Sequence, residues 1–259
     1  MKSFRSTVLS LALVVATFAG VQAQSAQTAT VQTATTQAGV KRVMIFGDSN
    51  TWGYQPFPAP TPSPRYDEAT RWPQLLAREL GADYEIIEEG LSCRTTDLDD
   101  PSCGITGAGM NGAEYLPAAI ASHQPLDLVV VMLGTNDTKP IFDRSTFGIA
   151  LGALRLVDIV RTNTGVNSPY PAPKVLLVSP SPLGEVPEAW SEIFDAQSVR
   201  ESRELAGVLG PLARAAGVPF FDAGTVLAVA DGIDGIHLSP ASHRSLSAAL
   251  IQPVRNALK

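Results

Sequence analysis

The sequence has little positive charge, little cysteine and no apolar run long enough to span a membrane. Lys and Arg total 19 against 25 Asp and Glu, giving a net charge of −6, whereas a nucleic-acid-binding protein normally carries a basic stripe. The apolar run over residues 8–19 is shorter than the roughly 20 residues of a membrane helix. What remains is a globular composition, 45% hydrophobic and 17% charged, in a chain of 259 residues. That length accommodates one full domain or two small ones.

The first 23 residues have the organisation of a signal peptide. Lys2 and Arg5 give a basic start, residues 8–19 are apolar, and Val21-Gln22-Ala23 fits a small-x-small cleavage site. We therefore predict cleavage after Ala23 and a periplasmic or secreted protein, with an uncleaved membrane anchor as the alternative. No cysteine follows the cleavage site, so lipid attachment there is not expected.

Residues 24–40 follow as a linker. Residues 24–39 are rich in Thr, Ala and Gln, and Val31 is their one large apolar residue. Such a segment buries too little surface to offset the entropy lost on ordering, so we predict a disordered linker. The folded domain is predicted over residues 41–259.

Apolar strands alternate with helical segments through this domain. Short apolar runs predict strands, and apolar residues spaced three and four apart predict the helices between them. The predicted strands cover residues 43–47, 84–88, 126–133, 174–178 and 218–222, and the predicted helices cover residues 71–80, 145–162, 189–216 and 240–258. This alternation is typical of a single α/β domain whose parallel sheet carries helices on both faces. We find no internal repeat.

Ser49 follows the first of these strands. The apolar run ends at Gly47, so Asp48 and Ser49 are predicted at the carboxyl edge of the sheet, where ligands bind in open α/β folds. Ser49 is therefore a candidate nucleophile, although a serine in such a turn is commonly a helix N-cap. Asp48 is expected to fix the turn by hydrogen bonding.

A serine nucleophile needs a base, and the chain has three histidines. His237 lies in the loop Asp234-Gly235-Ile236-His237, where the carboxylate three residues earlier can accept a hydrogen bond from the imidazole. His123 is expected at a surface or helix end near the opposite edge of the sheet. His243, in the closing helix, is expected to reach solvent or an interface.

A tetrahedral intermediate also needs hydrogen-bond donors for its oxygen. The backbone N–H groups of Ser49 and Cys93 and the side-chain amide of Asn136 are predicted at the same edge of the sheet. Asn136 alone would be interpreted as a turn residue, but it follows a predicted strand and Gly134.

Four segments in this order resemble the SGNH (GDSL-type) hydrolase family. They are Gly47-Asp48-Ser49, Gly90 with its following loop, Gly134-Thr135-Asn136-Asp137, and Asp234-x-x-His237. The resemblance covers nearly all of the chain after residue 40. Further segments look like the arylesterase/acyltransferase branch of that family, namely residues 71–72, 88–92, 94–96, 133–139, 170–175 and 231–237.

The resemblance implies a role for each matching residue. Ser49 would be the nucleophile, His237 the base and Asp234 the residue that orients it, with Ser49, Cys93 and Asn136 forming the oxyanion hole. The family often has glycine where Cys93 stands, but a backbone N–H serves equally from either residue. Asn50 stands where leucine is common, a change not expected to affect the chemistry.

The resemblance also implies a fold and an activity. The fold would be a flavodoxin-like three-layer α/β/α sandwich with a five-stranded parallel sheet, and no metal or cofactor would be needed. The activity would be hydrolysis of short-chain or aryl esters through an acyl-serine, with acyl transfer to alcohols or peroxide. A carbohydrate-ester deacetylase and a non-catalytic exported binding module are the alternatives. The partners expected are a small ester and an alcohol or water acceptor, and a homo-oligomer is favoured by the resemblance.

Three residues are predicted to contact substrate, namely Trp52, Arg94 and Ile141. Arg94 is equally interpretable as a solvated loop charge, and Trp52 as a core residue or part of the cleft wall. The two cysteines, Cys93 and Cys103, are predicted to form a disulfide because an exported protein meets an oxidising compartment. Two buried free thiols are the alternative.

Overall fold

The structure is a computed structural model, and it describes residues 39–103, 109–165 and 168–259. The predicted signal peptide and residues 24–38 of the predicted linker lie outside this part of the chain. Gly39 and Val40 are exposed and lead directly into the first strand.

Five parallel strands form one sheet, as the sequence predicted. They are β1 (Lys41–Gly47), β2 (Tyr84–Gly90), β3 (Leu128–Met132), β4 (Lys174–Ser179) and β5 (Phe220–Asp222), arranged in the order β2-β1-β3-β4-β5. This is the flavodoxin-like strand order, whose ligand site lies where the order reverses, beside β1 and β3. Gly47 lies opposite Gly90 on one side and Met132 on the other. The loops that follow β1, β2 and β3 therefore leave the sheet together.

Helices cover both faces of the sheet, so the fold is a three-layer α/β/α sandwich. The helices are α1 (Ser49–Trp52), α2 (Trp72–Leu80), α3 (Gly112–His123), α4 (Thr146–Thr162), α5 (Ala196–Ala215) and α6 (Pro240–Ala257). Met44 and Phe46 of β1 face the core shared with α3, α4 and α5, whereas Val43 and Ile45 face α2 and α6. Both faces of β1 are thus buried, which explains its unbroken apolar sequence. In the described part of the chain, no helix has the length and apolar character needed to cross a bilayer.

Two of the five longer helices differ from the sequence-based prediction, and the four-residue helix α1 was not predicted either. Helix α5 begins at Ala196 instead of residue 189, because the carboxylate of Asp195 accepts the backbone N–H of Ser198 and forms a capping box. Helix α3 was not predicted. Its interior contains Pro117 and several alanines, and these weaken the apolar periodicity that marks a helix in sequence.

Candidate active site

The turn between β1 and α1 places Ser49 at the carboxyl edge of the sheet. Asp48 is the N-cap of α1, and its Oδ1 accepts the backbone N–H of Asn50 at 2.9 Å. The turn needs glycine on both neighbouring strands. A Cβ on Gly47 would lie 2.1 Å from the Thr51 hydroxyl, and one on Gly90 would lie 2.3 Å from the Trp52 backbone nitrogen. Glycine at these two positions therefore lets the turn lie directly against the strand ends.

Ser49, His237 and Asp234 form a continuous chain of hydrogen bonds. His237 Nε2 is 3.0 Å from Ser49 Oγ, and His237 Nδ1 is 2.8 Å from Asp234 Oδ2. Asp234 is fully buried, and its other oxygen accepts the backbone N–H groups of Ile236 and His237, each at 2.9 Å. The structure therefore brings together the three residues that the sequence suggested, in the order that a catalytic triad requires.

The carboxyl group of Asp234 favours its charged form. Burial raises its pKa, but the hydrogen bonds from the ring and backbone of His237 and the backbone of Ile236 outweigh burial, so the pKa lies below its usual value. An ionised Asp234 accepts a hydrogen bond from His237 when Nδ1 carries the proton. That tautomer leaves Nε2 of His237 free to accept the proton of Ser49.

Two aromatic residues enclose the imidazole of His237. The Tyr54 ring stacks on it with a centroid separation of 4.1 Å, and Trp190 meets it edge-on at 6.1 Å. Trp190 is held in place because its Nε1 donates a hydrogen bond to the Phe57 carbonyl at 2.9 Å. Neither aromatic residue was predicted from the sequence. Both come from loop segments whose position is set by the tertiary packing.

The proposed oxyanion donors lie beside Ser49. Asn136 is in the short 3₁₀ turn that follows β3, where its Nδ2 donates to the Arg94 carbonyl at 3.2 Å. A side-chain amide has two N–H groups, so the second is available to a substrate oxygen. Cys93, in the loop after β2, has a positive φ of 69°, a conformation that favours glycine.

Cys93 and Cys103 are joined by a disulfide, as the sequence predicted. A buried ion pair supports this loop, because Lys139 Nζ is 2.6 Å from Asp100 Oδ2 and 3.4 Å from Cys103 Sγ. In the described residues one group of metal-type donors comes together, consisting of Asp100 and the two cysteine sulfurs. The disulfide removes the thiolate charge that a metal ligand needs, so this cluster does not fit a metal site.

The triad and the oxyanion donors open into a cavity of about 310 Å³. Its walls are mostly apolar or aromatic. The hydroxyl of Tyr54 is fixed by a hydrogen bond to the backbone carbonyl of Thr61 at 2.6 Å. The side chains around Ser49, Cys93, Asn136 and His237 include Tyr54, Pro60, Cys103, Lys139, Trp190, Ile193, Phe194 and Ile236.

The three residues predicted to contact substrate, Trp52, Arg94 and Ile141, do not line this cavity. Arg94 is buried, and its guanidinium lies over the Phe46 ring at 4.2 Å and donates to the Gly47 carbonyl at 3.1 Å. It therefore ties the strand ends together and is neither a solvated charge nor a pocket wall. Trp52 lies against the guanidinium of Arg65, and Ile141 is 57% exposed on a separate turn.

The other two histidines lie outside the cavity. His243 is fully buried, so the expectation that it reaches solvent or an interface is wrong. Its Nδ1 accepts the backbone N–H of Trp72 at 3.4 Å, and burial lowers its pKa to about 4. His123 is the last residue of α3, and its Nε2 is 2.7 Å from Glu89 Oε1.

Comparison with known proteins identifies the relatives of this chain. The model of the GDSL-like lipase/acylhydrolase family matches residues 45–245. The native M. smegmatis aryl esterase is 49% identical, with a TM-score of 0.80 over 84% of this chain and 100% of that chain. Est24, a carbohydrate acetylesterase from Sinorhizobium meliloti, is 47% identical, with a TM-score of 0.78 over 83% of this chain and 99% of that chain. A search of curated proteins found no match.

Proposed function

The chain belongs to the GDSL-like lipase/acylhydrolase family, and on that premise we propose that it hydrolyses short-chain or aryl carboxylic esters through an acyl-Ser49 intermediate. The observation that carries the proposal is the Asp234–His237–Ser49 hydrogen-bond chain, which opens directly into an apolar cavity. The same cavity is lined by Cys93 and Asn136, so donors lie on the side of Ser49 where an ester carbonyl would enter.

The first half-reaction forms the acyl-enzyme. Ser49 Oγ attacks the ester carbonyl while its proton moves to His237 Nε2, and the ionised Asp234 stabilises the resulting imidazolium. The tetrahedral oxyanion accepts hydrogen bonds from the backbone N–H groups of Ser49 and Cys93 and from Asn136 Nδ2. His237 then returns the proton to the leaving alcohol or phenol oxygen as the ester C–O bond breaks.

The second half-reaction releases the acid. A water molecule gives a proton to His237 and attacks the acyl carbonyl, and the same donors hold the second oxyanion. Collapse of this intermediate breaks the bond to Ser49 Oγ, which takes back the proton from His237. The enzyme is regenerated and no cofactor is consumed.

Acyl transfer is the finer part of the proposal. An alcohol or peroxide can take the place of water, and the walls formed by Tyr54, Trp190, Ile193 and Phe194 favour an apolar acceptor over bulk water. We therefore expect benzyl acetate to form when vinyl acetate and benzyl alcohol are supplied in dilute aqueous buffer. If acetate is the sole acyl product, with no benzyl acetate at any alcohol concentration, the protein is an esterase without transferase activity.

A second candidate function is carbohydrate deacetylation. It is favoured by the 47% identity to a carbohydrate acetylesterase, which is similar to the identity to the aryl esterase. The ratio of kcat/KM for an acetylated xylo-oligosaccharide to that for phenyl acetate separates the two. A ratio above one would favour the deacetylase, whereas the aromatic walls of the cavity favour a ratio below one.

Burst kinetics with p-nitrophenyl acetate test the mechanism. We expect wild type to release p-nitrophenol, and Ser49→Ala to lose several orders of magnitude in turnover while remaining folded. A Ser49→Ala protein that retains near-wild-type hydrolysis would overturn the acyl-serine mechanism, whereas a folded wild-type protein without hydrolysis would favour the binding-module alternative.

Export is the remaining proposal. The Cys93–Cys103 disulfide supports it, because stable disulfides are typical of oxidising compartments. The N-terminal sequence supports it independently. Cell fractionation with N-terminal sequencing of the mature protein tests it, and a cytoplasmic protein beginning at Met1 would contradict it.

A further inference from the structure

Asn50 joins the turn that carries Ser49 to the loop that carries His237. Its side chain is buried, with a residue exposure of 5%. Its Nδ2 donates to the Ile236 carbonyl at 3.2 Å, and its Oδ1 accepts the Leu238 backbone N–H at 3.0 Å. One amide therefore binds the residues on both sides of His237.

These two bonds are distinct from the contacts that shape the histidine loop internally. Asp234 accepts N–H groups from within the loop, and Gly232 N donates to the His237 carbonyl at 2.8 Å. Such bonds fix the shape of the loop but not its distance from Ser49. Over the described ranges, the hydrogen bonds between residues 48–54 and 231–239 are the two from Asn50 and the Ser49–His237 bond itself.

The chemistry of this link requires an amide of this length. The site presents one acceptor, the Ile236 carbonyl, and one donor, the Leu238 N–H, and both are buried. A carboxylate can serve the donor but repels the carbonyl, and an apolar side chain serves neither. Because buried backbone groups without partners are unfavourable, the loop would move to satisfy them.

The sequence led us to expect that asparagine in place of the common leucine would not affect the chemistry, but the two hydrogen bonds of this side chain point to a role. We propose that Asn50 is a positioning residue that sets the distance between His237 Nε2 and Ser49 Oγ. This inference rests on the proposed function, since it concerns proton transfer in the same triad. The nucleophile and the clamp on its base are adjacent in sequence, so a displacement of the Ser49 turn carries the His237 loop with it. The 3.0 Å separation of Ser49 Oγ and His237 Nε2 is thereby held through both half-reactions.

Two substitutions at this position test the link. Asn50→Leu has a similar size and removes both bonds, whereas Asn50→Asp keeps the acceptor for Leu238 N–H. We expect kcat for p-nitrophenyl acetate to fall by about 10- to 100-fold for the leucine variant and by less for the aspartate variant, with KM changed by no more than about twofold. Asn163→Leu is the matched control, since Asn163 bonds Gly165 N–H beyond α4 and lies outside the cavity.

A second readout separates positioning from a general loss of stability. Labelling of Ser49 by diethyl p-nitrophenyl phosphate needs proton transfer from Ser49 to His237 but none of the later steps of turnover. The labelling rate should fall in parallel with kcat in both Asn50 variants and stay at the wild-type value in Asn163→Leu. If Asn50→Leu does not fold, Asn50→Asp alone decides the matter.

The outcomes distinguish this inference from the proposed function. Variants at Asn50 with kcat and labelling rates within twofold of wild type would overturn the positioning role, while the Ser49→Ala result would stand. A raised KM at unchanged kcat would also overturn it. A wild-type protein that neither hydrolyses the ester nor is labelled would instead remove the proposed function itself.

Discussion

Substitution of Asn136 tests one oxyanion donor without disturbing the Asp234–His237–Ser49 hydrogen bonds. It is buried beside Ser49 and is held by the Arg94 carbonyl, so its amide is fixed before substrate enters. We expect Asn136→Ala to lower kcat by roughly 100- to 1000-fold, as loss of one oxyanion donor does elsewhere. Steady-state kinetics on p-nitrophenyl acetate measure this effect, and a raised KM at unchanged kcat would show that Asn136 positions substrate instead.

Asp137, the next residue, is expected to make the stability of the fold depend on pH. It is fully buried and accepts the Thr96 backbone N–H, with Arg144 Nη1 at 3.3 Å. Burial raises its pKa to about 6 despite these partners. Because the folded pKa lies above the unfolded value, the contribution of Asp137 to stability is fully present below about pH 4 and is lost as the pH rises through 6.

This pH dependence can be measured as the difference in unfolding free energy between wild type and Asp137→Asn. Wild type should lose about 1 kcal/mol relative to the variant between pH 5 and pH 7, because the variant has no proton to release there. Urea unfolding at the two pH values measures the difference. Asp143→Asn makes the same chemical change on the exposed surface and is the matched control. A gap that stays constant with pH in Asp137→Asn would contradict the assignment.

At the scale of elements, the sequence predicts structure best where a segment is buried on both faces. Strand β1 has its apolar residues divided between the two cores, so its unbroken apolar run predicts a strand. The same reasoning placed Ser49 and Asn136 at strand ends. Helix α3 was not predicted because its alanines and Pro117 weaken the apolar periodicity, although its N-cap, Asn111, is a residue type common at that position. Tyr54 and Trp190 were not identified individually because contacts between distant parts of the chain place them beside His237, and no local sequence pattern indicates such contacts.

The disulfide in the loop between β2 and α3 leads to a prediction at the scale of elements. The disulfide closes a segment of 10 residues, and the chain-entropy model assigns it roughly 2–3 kcal/mol of stability. Cys103→Ser should therefore lower Tm. It should also lower turnover, because the covalent bond that holds Cys93 at its unfavourable positive φ is then lost. Differential scanning calorimetry and ester hydrolysis measure the two effects.

A paired variant separates the two effects. In Cys93→Gly combined with Cys103→Ser, glycine adopts the same backbone conformation without strain. The double variant should be as unstable as Cys103→Ser, or slightly more stable, but should recover turnover toward wild type. Equal activity in the two variants would show that strain at Cys93 does not affect the oxyanion donor. Two titratable thiols in denatured, unreduced protein produced in an oxidising compartment would show that the bond does not form.

For the whole molecule, the site depends on contacts between distant parts of the chain. The Ser49–His237 hydrogen bond joins residues 188 positions apart, one in the turn after β1 and the other in the loop between β5 and α6. Under two-state unfolding, we expect hydrolysis and the far-UV circular dichroism signal to be lost at the same urea concentration. An activity midpoint at lower urea would mean that the His237 loop opens before the sheet.

That separation has a practical consequence for engineering. Since the active site forms only when residues 188 positions apart are brought together, the release of yellow p-nitrophenolate reports on molecules in which both parts of the chain are correctly folded. A colony screen that compares the colour of heated and unheated replicas of a library would therefore rank thermal resistance. The same colour assay would count correctly refolded molecules after dilution from denaturant, without an antibody or a fluorescent tag.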